Sequence, residues 1–136
     1  MSVTNQEAAL RERMAQVMQA MDARGLNRGT SGNVSARCGD DMLVSPTGVP
    51  AARLTAEHMV LVRPDGSSPE GALKPSSEWR MHKGILDRRP DVGAVVHCHS
   101  RHATILACAG LQIPPMHYMV AVSGGSSVPV APYATF

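Results

Sequence analysis

The chain has 136 residues, 43% of them hydrophobic and 18% charged, which suits one globular domain with a real core. A net charge of +2 with 3% aromatic residues leaves neither a basic stripe nor a set of stacking rings, so nucleic acid is excluded as a partner. Acids within the first dozen residues argue against a signal peptide, no segment reads as a membrane span, and three cysteines without a CxxC pair fit reduced thiols, so a cytoplasmic location is expected.

In chain order, Leu10, Met14, Val17, Met18 and Met21 recur at helical spacing over residues 6–22, and Gly25 stands where such a helix stops. The other methionines read as core filler as well. Next, "GLNRGTSGNVSARCGDDMLVSPTG" predicts a hairpin: strands Val34 to Arg37 and Met42 to Ser45 around a "CGDD" turn, with small-residue loops on either side. Thr55 opens a short turn or helix, Met59 to Val62 reads as a strand, and "PDG" makes a turn. Ser76 is placed to cap a helix carrying Trp79, His82, Ile85 and Leu86, with Pro90 as its stop.

The apolar run Val92 to Val96 predicts a strand leading into "HCH", after which Ser100 can cap a short helix ended by Gly110. "MHYMVAVSGGSSVPVAPYATF" reads as two further strands joined by a glycine-serine loop. Alternating helices and strands, hairpins included, predict an α/β sheet of mixed direction covered by helices.

His97 and His99 share a face only if the strand continues through both, in which case Cys98 points the other way, into the core. A zinc ion then fits between the two rings. On spacing alone, a metal pair and two half-exposed polar residues are equally good readings. A catalytic zinc takes three protein ligands, and spacing does not choose among His102, His82 and His117 for the third; His58 is the least suggestive.

"PSSEW" presents two hydroxyls and helix-opening N–H groups with Glu78 beside them; plain capping explains it alone, but the donor-rich turns "TSGNVS" and "SPTG" add to it. Three such loops and HxH in one small domain point to a phosphorylated substrate held on a metal.

Taken together and in this order, "GLNRGTSGNVSAR", "LVSPTGVP", "PSSEWRMH", "AVVHCHSRHAT", "IPPMHYMVAVSGG" and "APYATF" resemble the class II aldolase/adducin family, most closely its members that cleave L-fuculose 1-phosphate. The resemblance runs from about Gly25 to Phe136. It implies a three-layer α/β/α sandwich around a mainly antiparallel or mixed sheet, and a homotetramer with sites at subunit interfaces. It further implies a zinc-dependent aldolase that reversibly cleaves a ketose 1-phosphate, a small phosphorylated sugar, to dihydroxyacetone phosphate and an aldehyde, L-lactaldehyde for the fuculose sugar. Asn33, Thr47, Gly48, Ser76 and Ser77 would hold the phosphate, and His97 and His99 the zinc. Glu78 would be the acid/base residue and also touch the metal, and Tyr118 would reach a neighbouring subunit's site to protonate the aldehyde-side oxygen.

Lys74 is left a surface or phosphate-neighbouring charge, since a metal route needs no Schiff base. The family's third zinc histidine lies downstream of "YATF", so residues 1–136 read as a single family domain truncated at its C-terminal end, with none of His102, His82 or His117 matching the missing ligand. The alternatives are a 4-epimerase, a dehydratase or a decarboxylase acting on a sugar phosphate, and a non-catalytic adducin-like interaction domain.

Overall fold

The computed structural model describes residues 3–135, which form two compact units dividing between Cys98 and His99. The first opens with helix α1, Val3–Ala23. Its periodic face buries Met14, Ala15, Met18 and Met21 against Val34, Ala36, Leu43, Leu54 and Met59. Each large side chain removed from water in this way contributes about 1.5–3 kcal/mol. Two polar anchors fix the helix on its neighbours: the Arg11 guanidinium donates to the Met59 carbonyl, and Gln19 Nε2 donates to the Leu54 carbonyl at 2.8 Å.

Strands β1 (Asn33–Cys38) and β2 (Asp41–Val44) form the expected hairpin, with Cys38 opposite Asp41 across the turn. Strands β3 (Val60–Val62) and β4 (Ala94–His97) complete a sheet of order β3-β2-β1-β4. All three pairings are antiparallel, which corrects the expectation of mixed direction. Successive strand residues point to opposite faces. Val34, Ala36 and Leu43 accordingly meet α1, while Met42, Val44, Val60 and Val62 pack with Leu86 of helix α2, Trp79–Arg88. Helix, sheet and helix make three layers in this unit.

Between β2 and β3 run two short 3-10 turns, Ala51–Arg53 and Ala56–His58, the second opened by Thr55 as expected. Helix α2 begins at Trp79, with Glu78 as its N-cap residue, and so starts later than a Ser76 cap implies. Ser76 Oγ still accepts from Glu78 N at 3.3 Å, a capping-type bond over the turn that leads into the helix, while the Ser76 N–H donates to the Ser45 carbonyl at 3.0 Å.

The second unit holds helix α3, Arg101–Cys108, with Ser100 as its N-cap residue, and a 3-10 helix, Tyr118–Ser123. Among the described residues, the two strands expected in "MHYMVAVSGGSSVPVAPYATF" do not form; Phe136 lies outside the described residues. Residues 118–123 coil instead, and Val128 makes only an isolated bridge with Ile113. The β-branched run there has high strand propensity, but propensity becomes a strand only beside a ladder partner. Met116 and Met119 are exposed, as is Met81 of α2, so core filling describes Met14, Met18 and Met21 but not these three. No helix among the described residues is long and apolar enough to cross a membrane.

Candidate functional site

At the end of the sheet where β1 begins and β4 stops, Asn33 and His97 lie directly opposite each other in the antiparallel register. Residues paired in this way project side by side from one face. Glu78, at the start of α2, meets both: its Oε2 lies 2.6 Å from Asn33 Nδ2, which donates to it, and 2.6 Å from His97 Nδ1. Glu78 and His97 keep about a quarter of their side-chain surface open to solvent, while Asn33 is buried. A carboxylate in contact with an amide donor and an imidazole nitrogen is fixed in orientation.

Behind this trio sits His82, wholly buried. Its Nε2 is 2.5 Å from Asn33 Oδ1 and its Nδ1 is 2.8 Å from Ser35 Oγ. Burial pushes its pKa down to about 4, with the nearby His97 adding to the drop and Glu78 opposing it, so the imidazole is neutral at neutral pH.

The three small-residue loops meet in the same unit. Ser45, buried at the end of β2, receives the Val34 N–H on its hydroxyl at 3.1 Å and the Ser76 N–H on its carbonyl at 3.0 Å. Pro46 and Pro75 then pair as an antiparallel bridge, and Thr47 N donates to the Lys74 carbonyl at 3.0 Å. "SPTG" and "KPSSE" therefore run alongside each other. Of the five residues expected to hold phosphate, Thr47, Gly48 and Ser77 are exposed while Ser76 and Asn33 are buried. Gly48 has φ +74°, a conformation that favours glycine. At the other loop Gly32, with φ +75°, lies against Asn27: a Cβ added there would come within 2.3 Å of the Asn27 side chain.

Strand β4 ends at His97, so strand geometry does not extend through "HCH". Cys98 is exposed, not core as the strand reading required. His99 belongs to the second unit, where it precedes the N-cap of α3. Tyr118, also in that unit, is 76% exposed, its ring 4.4 Å from that of His117. Of the three histidines that spacing left open, His82 is buried in the first unit, while His102 and His117 are exposed in the second.

Imidazole nitrogen and carboxylate oxygen are donors that zinc accepts, and His97 and Glu78 bring one of each together. Among the described residues, however, no three His, Cys, Asp or Glu side chains gather to hold a metal ion, so the donor types fit and the set is incomplete.

Sequence reading missed the Ser35 to His82 to Asn33 connection. The visible signal for it was the Glu78 to His82 spacing of four, which stacks two residues on one side of a helix.

Residues 12–136 match the family described as Class II Aldolase and Adducin N-terminal domain. The chain is 48% identical over 128 residues to a 5-methylthioribulose-1-phosphate/5-deoxyribulose-1-phosphate aldolase of Rhodospirillum rubrum, covering 94% of this chain and 58% of that protein. It is 51% identical over 116 residues to an L-fuculose phosphate aldolase of Escherichia coli K12, covering 85% of this chain and 54% of the relative. A solved L-fuculose 1-phosphate aldolase superposes with a TM-score of 0.86 at 34% identity, over 93% of this chain and 60% of the other. The chain thus spans somewhat more than half the length of the relatives it matches. With a three-layer unit around an antiparallel sheet, and a sequence match over nearly its whole length, the chain belongs to the class II aldolase and adducin family.

Proposed function

We propose that this chain supports aldol chemistry on a small ketose 1-phosphate, reversibly releasing dihydroxyacetone phosphate and an aldehyde. The observation that carries this reading is Glu78 Oε2, gripped by Asn33 and His97 beside the joined "SPTG" and "KPSSE" loops. Glu78 is the acid/base residue: in the synthetic direction it removes the C3 proton of dihydroxyacetone phosphate, and in cleavage it returns it. Thr47, Gly48, Ser76, Ser77 and the second amide proton of Asn33 serve the phosphate through N–H and hydroxyl donors. Tyr118, supplied by a neighbouring subunit of a tetramer, donates the proton to the aldehyde-side oxygen.

Zinc is the proposed cofactor, held by His97, His99 and Glu78 together with a further histidine from beyond Phe136. Bound there, it supplies Lewis-acid polarisation of the substrate carbonyl. The setting is the cytoplasm.

The substrate's tail is a separate matter. The R. rubrum relative is named for methylthioribulose and deoxyribulose phosphates and the E. coli relative for fuculose phosphate. All three names share a phosphorylated ketose, which is the part the proposed groups handle.

The test is to supply zinc to a chain continued through that further histidine, offer L-fuculose 1-phosphate and 5-deoxyribulose 1-phosphate in competition, and follow dihydroxyacetone phosphate. Release of dihydroxyacetone phosphate with an aldehyde separates the aldolase from an epimerase, a dehydratase, a decarboxylase or an interaction domain. Glu78→Gln should abolish solvent exchange of the C3 proton and leave phosphate binding intact; exchange that persists in this variant overturns the role of Glu78.

A further inference from the structure

His82 has no part in the chemistry proposed above, yet it is the most enclosed polar side chain in the first unit, and both its ring nitrogens are engaged. We propose that His82 is a positioning residue for Glu78: pinned by Ser35, it fixes the Asn33 amide in the one orientation that donates to the Glu78 carboxylate. The inference rests on the reading of Glu78 as the acid/base group.

An ionised carboxylate only accepts, so the amide end 2.6 Å from Glu78 Oε2 has to be the NH2 group. The other end, Oδ1, is then the atom facing His82 Nε2, and it too only accepts. Nε2 therefore carries the ring proton, and Nδ1, left without one, accepts the hydroxyl proton of Ser35. Donation runs in one sense along four side chains: Ser35 to His82, His82 to Asn33, Asn33 to Glu78. Reversing the tautomer would turn the amide over and set its oxygen against the carboxylate, two acceptors face to face in a buried place, at the cost of an unmade hydrogen bond.

The backbone makes this bracket rigid. Asn33 and Ser35 are two apart on β1 and share a face about 6.6–6.8 Å apart along the strand, a gap that one imidazole can bridge through its two nitrogens. Glu78 and His82 are four apart at the head of α2, where His82 N donates to the Glu78 carbonyl at 3.3 Å. Strand and helix each contribute two members, so neither the amide nor the carboxylate can turn without moving a buried partner. A histidine that only filled space would leave the amide indifferent to which end faced Glu78.

The test uses the chain labelled with 15N in histidine and asparagine, together with two variants. His82→Gln keeps an N–H pointing at Asn33, and His82→Met keeps roughly the volume without the donor. In the wild-type chain, long-range 1H–15N correlations should show His82 as the Nε2–H tautomer, with an Asn33 side-chain amide shifted and slow to exchange. In His82→Met that amide signal should move to the position of an exposed amide. In a chain continued through the further histidine and supplied with zinc, kcat should fall about ten- to a hundredfold in His82→Met, with a smaller rise in KM because Asn33 also serves the phosphate, and His82→Gln should restore both the amide signal and kcat. A wild-type Nδ1–H tautomer, which needs no variant to observe, overturns the proposal. So does an Asn33 amide unmoved in a folded His82→Met chain. Absence of turnover in the wild-type chain continued through the further histidine would remove the aldolase reading, while the tautomer and amide signals would still decide whether His82 sets the Asn33 orientation.

Discussion

Burial keeps the His82 imidazole neutral, and that has a consequence for stability. Its pKa in the folded chain, about 4, lies below the ordinary value of 6.5, so on acidification the unfolded chain takes up the proton first. The contribution is therefore fully present above about pH 6.5 and is lost as pH falls towards 4, a swing of about 3 kcal/mol. Urea unfolding of the metal-free chain across that range should show the loss, and His82→Gln should flatten the part of the slope that histidine supplies. Glu78 and His97 act on the same imidazole through their charges, so the comparison with the variant isolates the His82 share. Gly32 carries a second prediction: alanine there must both hold φ +75° and displace Asn27, and should lower stability by about 1–3 kcal/mol in the same assay. Asn27→Ala, which vacates the space, should soften the penalty in the double variant if the clash outweighs the φ strain. At this scale the sequence marks "SSE" and "HCH" as candidates, but His82 reads there as one histidine among six, because its partners on β1 are 47 and 49 residues away.

Among the elements, α1, the β1–β2 hairpin and α2 were legible because each is written in local periodicity and turn chemistry, apart from ends that shifted by a few residues. In the second unit α3 was legible in the same way, with Ser100 at its cap, but the segment after it was not. "YMVAV" carries strand propensity, yet its fate depends on a neighbour that local sequence does not name. The end of β4 at His97 was likewise invisible, since the apolar alternation gives no stop before Ser100. One side chain ties two elements together in a way that spacing does not announce. Arg37, on β1, donates through Nη2 to the carbonyls of Leu86 at 2.6 Å, Val92 at 3.2 Å and Arg89 at 3.3 Å, covering acceptors at and beyond the end of α2. A guanidinium there satisfies carbonyls that have no helical partner and complements the negative end of the helix dipole. Arg37→Ala should cost about 1–2 kcal/mol, allowing for its partly exposed position, and lower the urea midpoint with little change in slope. Arg37→Lys should recover only part, since an ammonium lacks the planar fork.

Across the molecule, the two units differ in what they bury. The first has two apolar clusters, one on each face of its sheet. In the second, no described residue is buried, and Ile105, Leu111, Met116, Met119 and Val122 are all more than half exposed. Opening free energy follows buried apolar contact, so amides of α3 and of residues 118–123 should exchange with deuterium far faster than those of β1 and β2. Comparable protection in both units would contradict this picture. Family membership was legible at this scale because six motifs in order constrain far more than any one of them.

The pairing of Asn33 with His97 also bears on how the chain is made. Glu78 meets Asn33 across 45 residues, and His97 arrives later still. Closing such loops costs chain entropy before any contact offsets it. During synthesis, α1 and the first three strands can therefore condense around their methionine-rich core while β4 is still inside the ribosome. The yield of folded, protease-resistant chain thus measures completion of that core, and a variant can accumulate normally in the cell while its chemistry has never been assembled.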